Sequence, residues 1–173
     1  MKRSRYEKIT TGVLILAIAI VVLIFQYING DGPFKKSSTD VRGESYLVKR
    51  VIDGDTIIID KDGQDERVRL IGVDTPETVK PNTPVQPYGK AASNFTKKHL
   101  TNQRVRLEYD REPKDKYGRT LAYVWLGDEM FNVKLAKEGL ARAKFYPPND
   151  KYRILIEQAQ KEAQKKQLNI WER

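Results

Sequence analysis

Three short segments of the chain carry side chains able to act on a phosphate ester. Residues 53–56 read Asp-Gly-Asp-Thr, residues 69–77 begin with an arginine and contain an aspartate and a glutamate, and residues 115–119 end in an arginine. Clustered carboxylate oxygens bind hard divalent cations. Planar guanidinium groups bind two phosphate oxygens at once and neutralise the charge of a phosphorane-like transition state. These residue types therefore predict cleavage of a phosphodiester.

Two carboxylates, Asp55 and Asp74, are candidate ligands of one cation. Asp55 follows a predicted tight turn and Asp74 ends a predicted strand, so a folded barrel can bring them together from distant positions. Ligands that are all oxygen fit Ca²⁺, with water and a phosphate oxygen completing the shell. Asp53 lies in the same turn and is interpreted as a turn former.

Arg69, Glu77 and Arg119 are the candidate catalytic residues. Pro76 places Glu77 outside the strand and beside the predicted ion, where it could activate a water for in-line attack on phosphorus. Because a glutamate is a weak base, it could instead position that water, and the sequence leaves both roles open. Arg69 on a strand and Arg119 after a Tyr-Gly turn would clamp the phosphate from two sides.

The elements that must position these residues are short strands. Strands are predicted at 46–52, 56–60, 66–73, 104–109 and 120–126, with Asp-Gly turns at 53–54 and 62–63. Helices are predicted from residue 88, at 133–138 and at 152–167, with a short strand at 129–131. The pattern predicts an α+β fold dominated by a small, partly open Greek-key barrel of the oligonucleotide-binding (OB) type.

The first 28 residues have the layout of an export signal. Four cations within residues 1–8 precede an uncharged apolar run at residues 12–28. This run is at the lower limit for spanning a bilayer, and no Ala-x-Ala site follows, which favours an uncleaved anchor over a cleaved signal peptide. The positive-inside rule then places the body of the chain outside. We expect a cell-membrane protein with an extracellular domain, or a secreted one if the segment is cleaved.

The remainder of the chain is interpreted as a tether and one domain. Residues 29–45 are rich in Gly, Ser, Lys and Asp and predict a flexible tether, which leaves 46–173 as the globular domain. The net charge is +9; the first 28 residues hold four cations and one anion, so the rest keeps +6. A polyanionic partner fits this balance, but charge alone does not decide it. The absence of cysteine excludes disulfides and thiolate metal sites.

The motifs together resemble the staphylococcal-type nucleases, or thermonucleases. The resemblance rests on residues 51–56, 68–78, 115–119 and 168–171, which occur in the family's order and nearly its spacing. It implies a five-stranded OB barrel, one catalytic Ca²⁺, and endo- and exonucleolytic hydrolysis of DNA and RNA that leaves 3′-phosphates. It also implies that the backbone carbonyl of Thr75 is a metal ligand.

The same resemblance implies residues that position the substrate. Tyr117 resembles a residue that contacts the terminal phosphate, Tyr146 resembles one that packs against a base, and Lys116 would attract the backbone by its charge. Base stacking favours single-stranded or flexible DNA and RNA, bound here by a monomer. The segment 143–146 is one residue shorter than is usual, so Phe145 could replace its neighbour. Gly72 stands where a larger apolar residue is common, which predicts a looser core.

Three functional classes remain open from the residues alone. They are a Ca²⁺-dependent extracytoplasmic nuclease, a nucleic-acid-binding barrel without catalysis, and a membrane-anchored interaction module. A binding module has no need for the full set of proposed catalytic and metal-binding side chains, which comprises Asp55, Arg69, Asp74, Glu77 and Arg119. The sequence therefore favours the calcium-dependent endo/exonuclease.

Overall fold

A computed structural model describes residues 44–78 and 84–172 of the chain. The predicted export signal, the predicted tether up to residue 43 and residues 79–83 lie outside the described residues. The strands are β1 (Ser45–Asp53), β2 (Thr56–Lys61), β3 (Gln64–Leu70), β4 (Val73–Asp74), β5 (Arg104–Glu108), β6 (Thr120–Leu126), β7 (Glu129–Met130) and β8 (Arg142–Ala143). The helices are α1 (Gly89–Leu100), α2 (Phe131–Lys137) and α3 (Arg153–Lys165), with a 3₁₀ turn at Asn169–Trp171. None of the described helices has the length and apolar character needed to cross a bilayer.

Five of these strands close into a barrel. β1, β2 and β3 form an antiparallel meander, β5 pairs with β1, and β6 pairs with β5. β3 and β6 then pair in parallel, with Val68 opposite Thr120 and Leu70 opposite Ala122, and this pairing closes the barrel. The five-stranded OB-type fold with one inserted helix and further helices after the barrel strands is confirmed.

The strand residues alternate between the core and the surface as the barrel requires. On β3, Val68 and Leu70 are buried, whereas Arg67 is exposed. Apolar side chains of the other strands, such as Ile57 and Val105, fill the same core. Arg69 alternates with the buried Val68 and Leu70, so its side chain points away from this core, although neighbouring groups leave it largely covered.

A buried asparagine ties α2 to the barrel. The Oδ1 atom of Asn132 accepts a hydrogen bond from the Val124 N–H at 2.9 Å, and its Nδ2 donates to the Ile71 carbonyl at 2.8 Å. A buried amide must satisfy its polar atoms within the protein, so these bonds fix where the helix sits. α2 in turn packs against α3, whose Ile156 belongs to the same core.

A tight turn at Gly72 divides the strand that was predicted at 66–73 into β3 and β4. Gly72 has φ +77°, a left-handed conformation that side chains rarely adopt. A Cβ at this position would lie 2.5 Å from the Cε1 atom of Phe145 and 2.9 Å from the Cδ1 atom of Ile156. The looser core predicted at Gly72 is therefore wrong, because the Phe145 ring occupies the space beside the glycine.

Replacing Gly72 with alanine is expected to destabilise the domain by about 2–4 kcal/mol, since the methyl group meets Phe145 and the left-handed backbone is strained as well. Gly63→Ala is the matched control: Gly63 has φ +81° but nothing within 4 Å of its would-be Cβ, so only the backbone cost of about 1–2 kcal/mol applies. Urea unfolding of the two variants measures the difference. Equal losses of unfolding free energy in the two variants would show that the Phe145 ring moves aside at no cost.

Candidate active site

The candidate site begins where the β1–β2 turn meets the end of β3. Thr56 and Arg69 are partners in the β2–β3 register, and the Leu70 N–H donates to the carbonyl of Asp55 at 2.9 Å. The turn at Gly72 then changes the direction of the chain, so β4 follows close to the end of β3. Backbone pairing alone therefore brings the turn that carries Asp55 beside the strand that carries Arg69.

Arg69 lies between the two predicted metal-binding carboxylates. Its Nη2 atom is 3.0 Å from Oδ2 of Asp55 and 3.1 Å from Oδ1 of Asp74. Its Nη1 atom donates to the carbonyls of Leu70 and Val73, both at 2.7 Å. Because the same Nη2 atom contacts both carboxylates, Oδ2 of Asp55 and Oδ1 of Asp74 lie close to each other. The structure thus brings these three predicted site residues together.

Thr75 holds the Asp55 carboxylate from the other side. The N–H and the Oγ1 hydroxyl of Thr75 donate to Oδ2 of Asp55 at 2.9 and 3.1 Å, and Oγ1 of Thr56 donates to Oδ1 at 3.0 Å. Both Asp55 and Thr75 are buried, so the carboxylate has a fixed orientation. The backbone of Thr75 lies beside this carboxylate, as a backbone carbonyl ligand would require.

The donor chemistry of this cluster fits a hard cation. Ca²⁺ takes six to eight oxygen ligands at about 2.3–2.6 Å, so two of its ligands can lie about 5 Å apart. Asp55 and Asp74 each supply a carboxylate oxygen to the same nitrogen, so these oxygens can converge on one cation. Across residues 44–78 and 84–172, no group of three or more His, Cys, Asp or Glu side chains converges on one point. The remaining ligands would accordingly be a backbone carbonyl, waters and substrate oxygens.

Glu77 lies next to an aspartate that the sequence analysis interpreted only as a turn former. Oδ1 of Asp53 accepts hydrogen bonds from the Gly54 N–H at 2.8 Å and the Thr78 hydroxyl at 2.7 Å, and Oε1 of Glu77 accepts one from the Thr78 N–H at 3.1 Å. Burial raises the pKa of Asp53 above its ordinary value, and a hydrogen bond shared with Glu77 raises that pKa too. Asp53 therefore forms the turn and also contacts the predicted catalytic glutamate.

Arg119 is positioned by a carboxylate of its own loop. Its Nε atom donates to Oδ2 of Asp115 at 2.7 Å, while the N–H groups of Arg119 and Tyr117 donate to Oδ1 at 3.0 and 2.9 Å. Burial raises the pKa of Asp115, but the hydrogen bonds from Arg119 and Tyr117 outweigh it and hold this pKa below the ordinary value. The Asp115 side chain is thus ionised and fixes the direction of the guanidinium.

The parallel β3–β6 pairing decides how Arg119 relates to the carboxylate cluster. Arg119 precedes Thr120, whose Cα partner on β3 is Val68, the neighbour of Arg69. The two predicted phosphate-binding arginines therefore approach from adjacent strands. Within the described residues the guanidinium of Arg119 pairs with Asp115 rather than with Asp55 or Asp74.

Two exposed tyrosines stand at the rim, each beside lysine. Tyr117 is 72 % exposed, with the Lys116 Nζ atom 5.1 Å and the Arg119 guanidinium 5.6 Å from its ring centre. Tyr146 is 66 % exposed, with the Nζ atom of Lys144 5.7 Å from its ring centre. Each ring presents an open face with a cation nearby, which is the usual equipment for contacting a nucleotide.

Phe145 does not share this exposed position. Its ring is partly buried beside Gly72, and the Arg153 guanidinium lies 4.5 Å from the ring centre. Of the two aromatic residues that the sequence left open as substrate contacts, Tyr146 is the one whose ring faces solvent.

Lys144 is a site residue that the sequence analysis missed. Its Nζ atom is 3.0 Å from Oδ2 of Asp74, the carboxylate oxygen that Arg69 does not contact. A hydrogen bond with Tyr146 and the ion pair with Asp74 raise the pKa of Lys144. The sequence did contain a signal for Lys144. Residues two apart in an extended segment lie on the same face, so Lys144 could have been placed beside Tyr146.

The fourth sequence motif, residues 168–171, has a structural position away from these contacts. The Ile170 N–H donates to the carbonyl of Gly139 at 3.1 Å, and the Arg142 guanidinium lies 4.8 Å from the centre of the Trp171 ring. The segment therefore anchors the end of the chain against the turn after α2 and against β8, the strand that pairs with β4.

An OB-type barrel that carries two carboxylates on one arginine, a second arginine just before an adjacent strand and exposed tyrosines defines a class of phosphodiester-cleaving enzyme. Comparison with known proteins agrees with this class. The family model described as "Staphylococcal nuclease homologue" matches residues 67–173. The chain is 99 % identical over 167 residues to a thermonuclease of Staphylococcus intermedius, covering 96 % of this chain and 99 % of the relative.

Two further relatives carry nuclease names. A thermonuclease of Staphylococcus hyicus is 68 % identical over 166 residues, covering 95 % of this chain and 98 % of the relative. Endonuclease YncB of Bacillus subtilis (strain 168) is 44 % identical over 129 residues, covering 73 % of this chain and 61 % of the relative. The chain belongs to the staphylococcal nuclease homologue family and is a nuclease, which confirms the resemblance inferred from the sequence motifs.

Proposed function

We propose that the chain is a Ca²⁺-dependent extracytoplasmic nuclease that hydrolyses DNA and RNA to products with 3′-phosphates. The observation that carries the proposal is the single Nη2 atom of Arg69 within 3.1 Å of both Asp55 and Asp74. Two carboxylates that meet at one guanidinium nitrogen favour a cation between or beside them. The same oxygens would hold Ca²⁺ together with the carbonyl of Thr75.

A bound Ca²⁺ would supply positive charge that polarises a phosphoryl oxygen. Arg69 and Arg119 would bind the other phosphate oxygens and stabilise the charge that grows as a fifth oxygen approaches phosphorus. Arg119 directly precedes the strand that pairs with the strand of Arg69, and aspartate holds each guanidinium in place before the phosphate arrives, when Arg69 would exchange its carboxylate contacts for phosphate oxygens.

Glu77 would accept a proton from the attacking water, or orient it. The water oxygen then bonds to phosphorus and the bond from phosphorus to the 5′-oxygen breaks. The 5′-oxygen takes up a proton from a solvent water, the proton that Glu77 has accepted returns to solvent, and the phosphate stays on the 3′-oxygen. The hydrogen bonds that hold Glu77 and Asp53 to Thr78 support this role, because they restrain the Glu77 carboxylate.

Lys116, Tyr117 and Tyr146 would hold the strand on either side of the reacting phosphate. Stacking on exposed rings requires unpaired bases, so single-stranded or flexible DNA and RNA are the favoured substrates. One chain carries all of the proposed site residues, which supports action as a monomer.

The activity is expected to depend on Ca²⁺. Release of acid-soluble nucleotides from denatured DNA should stop when a chelator removes calcium and resume when calcium is added back. Mg²⁺ should support far less activity, because it demands near-ideal octahedral geometry and gives up its waters reluctantly. Equal turnover with Mg²⁺ alone would contradict the proposed calcium dependence.

We also propose that the domain works outside the cell, held to the membrane by residues 1–28. The proposal rests on the basic flank and the apolar run at residues 12–28, which lie outside the described residues. Protease added to intact cells should then remove the nuclease domain. A dominant soluble form in the medium that starts between residues 26 and 45 would show instead that the segment is cleaved.

A further inference from the structure

Lys144 is a cation of the site whose partner is exposed to solvent. In the Lys144–Asp74 pair the two side chains are 47 % and 37 % exposed, whereas the Arg69 side chain is only 14 % exposed. Exposed ion pairs contribute little to stability and exchange their partners easily. Asp74 also contacts Arg69, whose side chain is far less exposed. The contact of Lys144 with Asp74 is therefore the more exposed of the two, and a phosphate can replace it at little cost.

The position of Lys144 is set by the same carboxylate that Arg69 contacts. Arg69 touches Oδ1 of Asp74 and Lys144 touches Oδ2, so the two cations lie on the two oxygens of one carboxylate group. On its other side Lys144 lies beside the exposed Tyr146 ring. A strand that passes from Arg69 to Tyr146 must bring its backbone past the Lys144 ammonium.

The second exposed tyrosine of the candidate site, Tyr117, shows the same pairing with a lysine. Lys116 stands 5.1 Å from the Tyr117 ring centre, and Lys144 stands 5.7 Å from that of Tyr146. An ammonium beside a stacking platform allows one nucleotide to be held by its base and its phosphate together. The Lys144–Tyr146 pair has both of these elements.

We propose that Lys144 exchanges Asp74 for a backbone phosphate of single-stranded nucleic acid, next to the nucleotide whose base stacks on Tyr146. The proposal rests on the proposed function for the placement of the reacting phosphate at Arg69. Lys144 thereby acts as a substrate-binding residue that contacts a phosphate neighbouring the one that is cleaved.

The test measures binding without catalysis. Full-length protein in detergent is titrated against a short fluorescein-labelled oligothymidylate in EDTA, and the dissociation constant is followed by anisotropy over about 50–300 mM salt. Each lost phosphate contact lowers the slope of log K against log salt by about 0.7 for a single strand. Lys144→Gln should show this loss of slope and several-fold weaker binding at the lowest salt. Lys144→Arg should keep the wild-type slope.

Lys49→Gln is the matched control. Lys49 is a similarly exposed lysine on β1, and its ammonium lies 2.5 Å from Asp65, which is near the end of the β2–β3 hairpin away from Arg69. It makes the same change in net charge and breaks the same kind of ion pair. The proposal is overturned if Lys144→Gln and Lys49→Gln give the same slope. If the slopes are equal but the wild-type protein hydrolyses DNA in a calcium-dependent way, the proposed function stands and only the role of Lys144 fails. If Lys144→Gln loses slope but the wild-type protein shows no calcium-dependent hydrolysis, only the proposed function fails.

Discussion

Arg69→Lys is expected to lower kcat by about two to three orders of magnitude while the barrel stays folded. The guanidinium contacts two carbonyls through Nη1 and two carboxylates through Nη2, which a single ammonium group on a flexible stem cannot reproduce. The variant keeps the positive charge, so the decrease in kcat reports the contribution of the planar guanidinium geometry. The measurement is kcat at saturating single-stranded DNA with Ca²⁺ present.

The folded state of this variant can be checked independently. Loss of charge-assisted hydrogen bonds at a largely buried arginine should lower the free energy of unfolding by about 1–3 kcal/mol, well short of unfolding the domain. Arg67→Lys is the control, since Arg67 is exposed on the same strand and should retain wild-type kcat and stability. A kcat for Arg69→Lys within a few-fold of wild type would remove this arginine from the catalytic machinery.

The sequence predicted the barrel because its strands are local features. Alternating β-branched residues and Asp-Gly turns are readable in short windows, and the predicted strands lie within two residues of the observed ends in most cases. The exception is the division of the third strand at Gly72. That turn has the left-handed backbone of Gly72, and the ring packed beside it belongs to Phe145, which is far away along the chain and which no local pattern reveals.

In the candidate site, too, local features could be predicted from the sequence and long-range contacts could not. The motif residues could be named from their types and spacing, and the structure places Asp55, Arg69, Asp74 and Thr75 in direct contact. The contact of Lys144 with Asp74 depends instead on the β4–β8 pairing, which joins two-residue strands too short to predict. The contact of Asp53 with Glu77 was hidden because an Asp-Gly pair is fully explained as a turn.

These long-range contacts change how the charges of the site are understood. The sequence presented carboxylates for a metal and arginines for a phosphate as two separate sets. In the folded domain Arg69 and Lys144 lie on the same carboxylate, Asp74, so cation and anion partners can be exchanged within one cluster. Binding of a phosphate and of a cation would then redistribute existing pairs rather than create charges in isolation.

Glu77→Gln is expected to lower kcat by about 10²–10⁴-fold, the usual contribution of a positioned general base. The amide keeps the length and one acceptor oxygen of the glutamate, so the hydrogen bond from the Thr78 N–H can persist. Binding of the labelled oligothymidylate in EDTA should be unchanged, which places the loss in the chemical step. Glu162→Gln, an exposed change on α3, should leave kcat unaltered.

A second variant separates the two roles that the sequence left open for Glu77. Glu77→Asp keeps a carboxylate but draws it back by one methylene group, whereas Glu77→Gln keeps the reach and loses the basic oxygen. If proton transfer is the main contribution, the aspartate variant should retain more activity than the glutamine variant. If orientation of the water dominates, the order should reverse, because a side chain of the correct length still offers an acceptor. Near-wild-type kcat in both variants would exclude Glu77 from catalysis and leave the proton without an acceptor among the predicted residues.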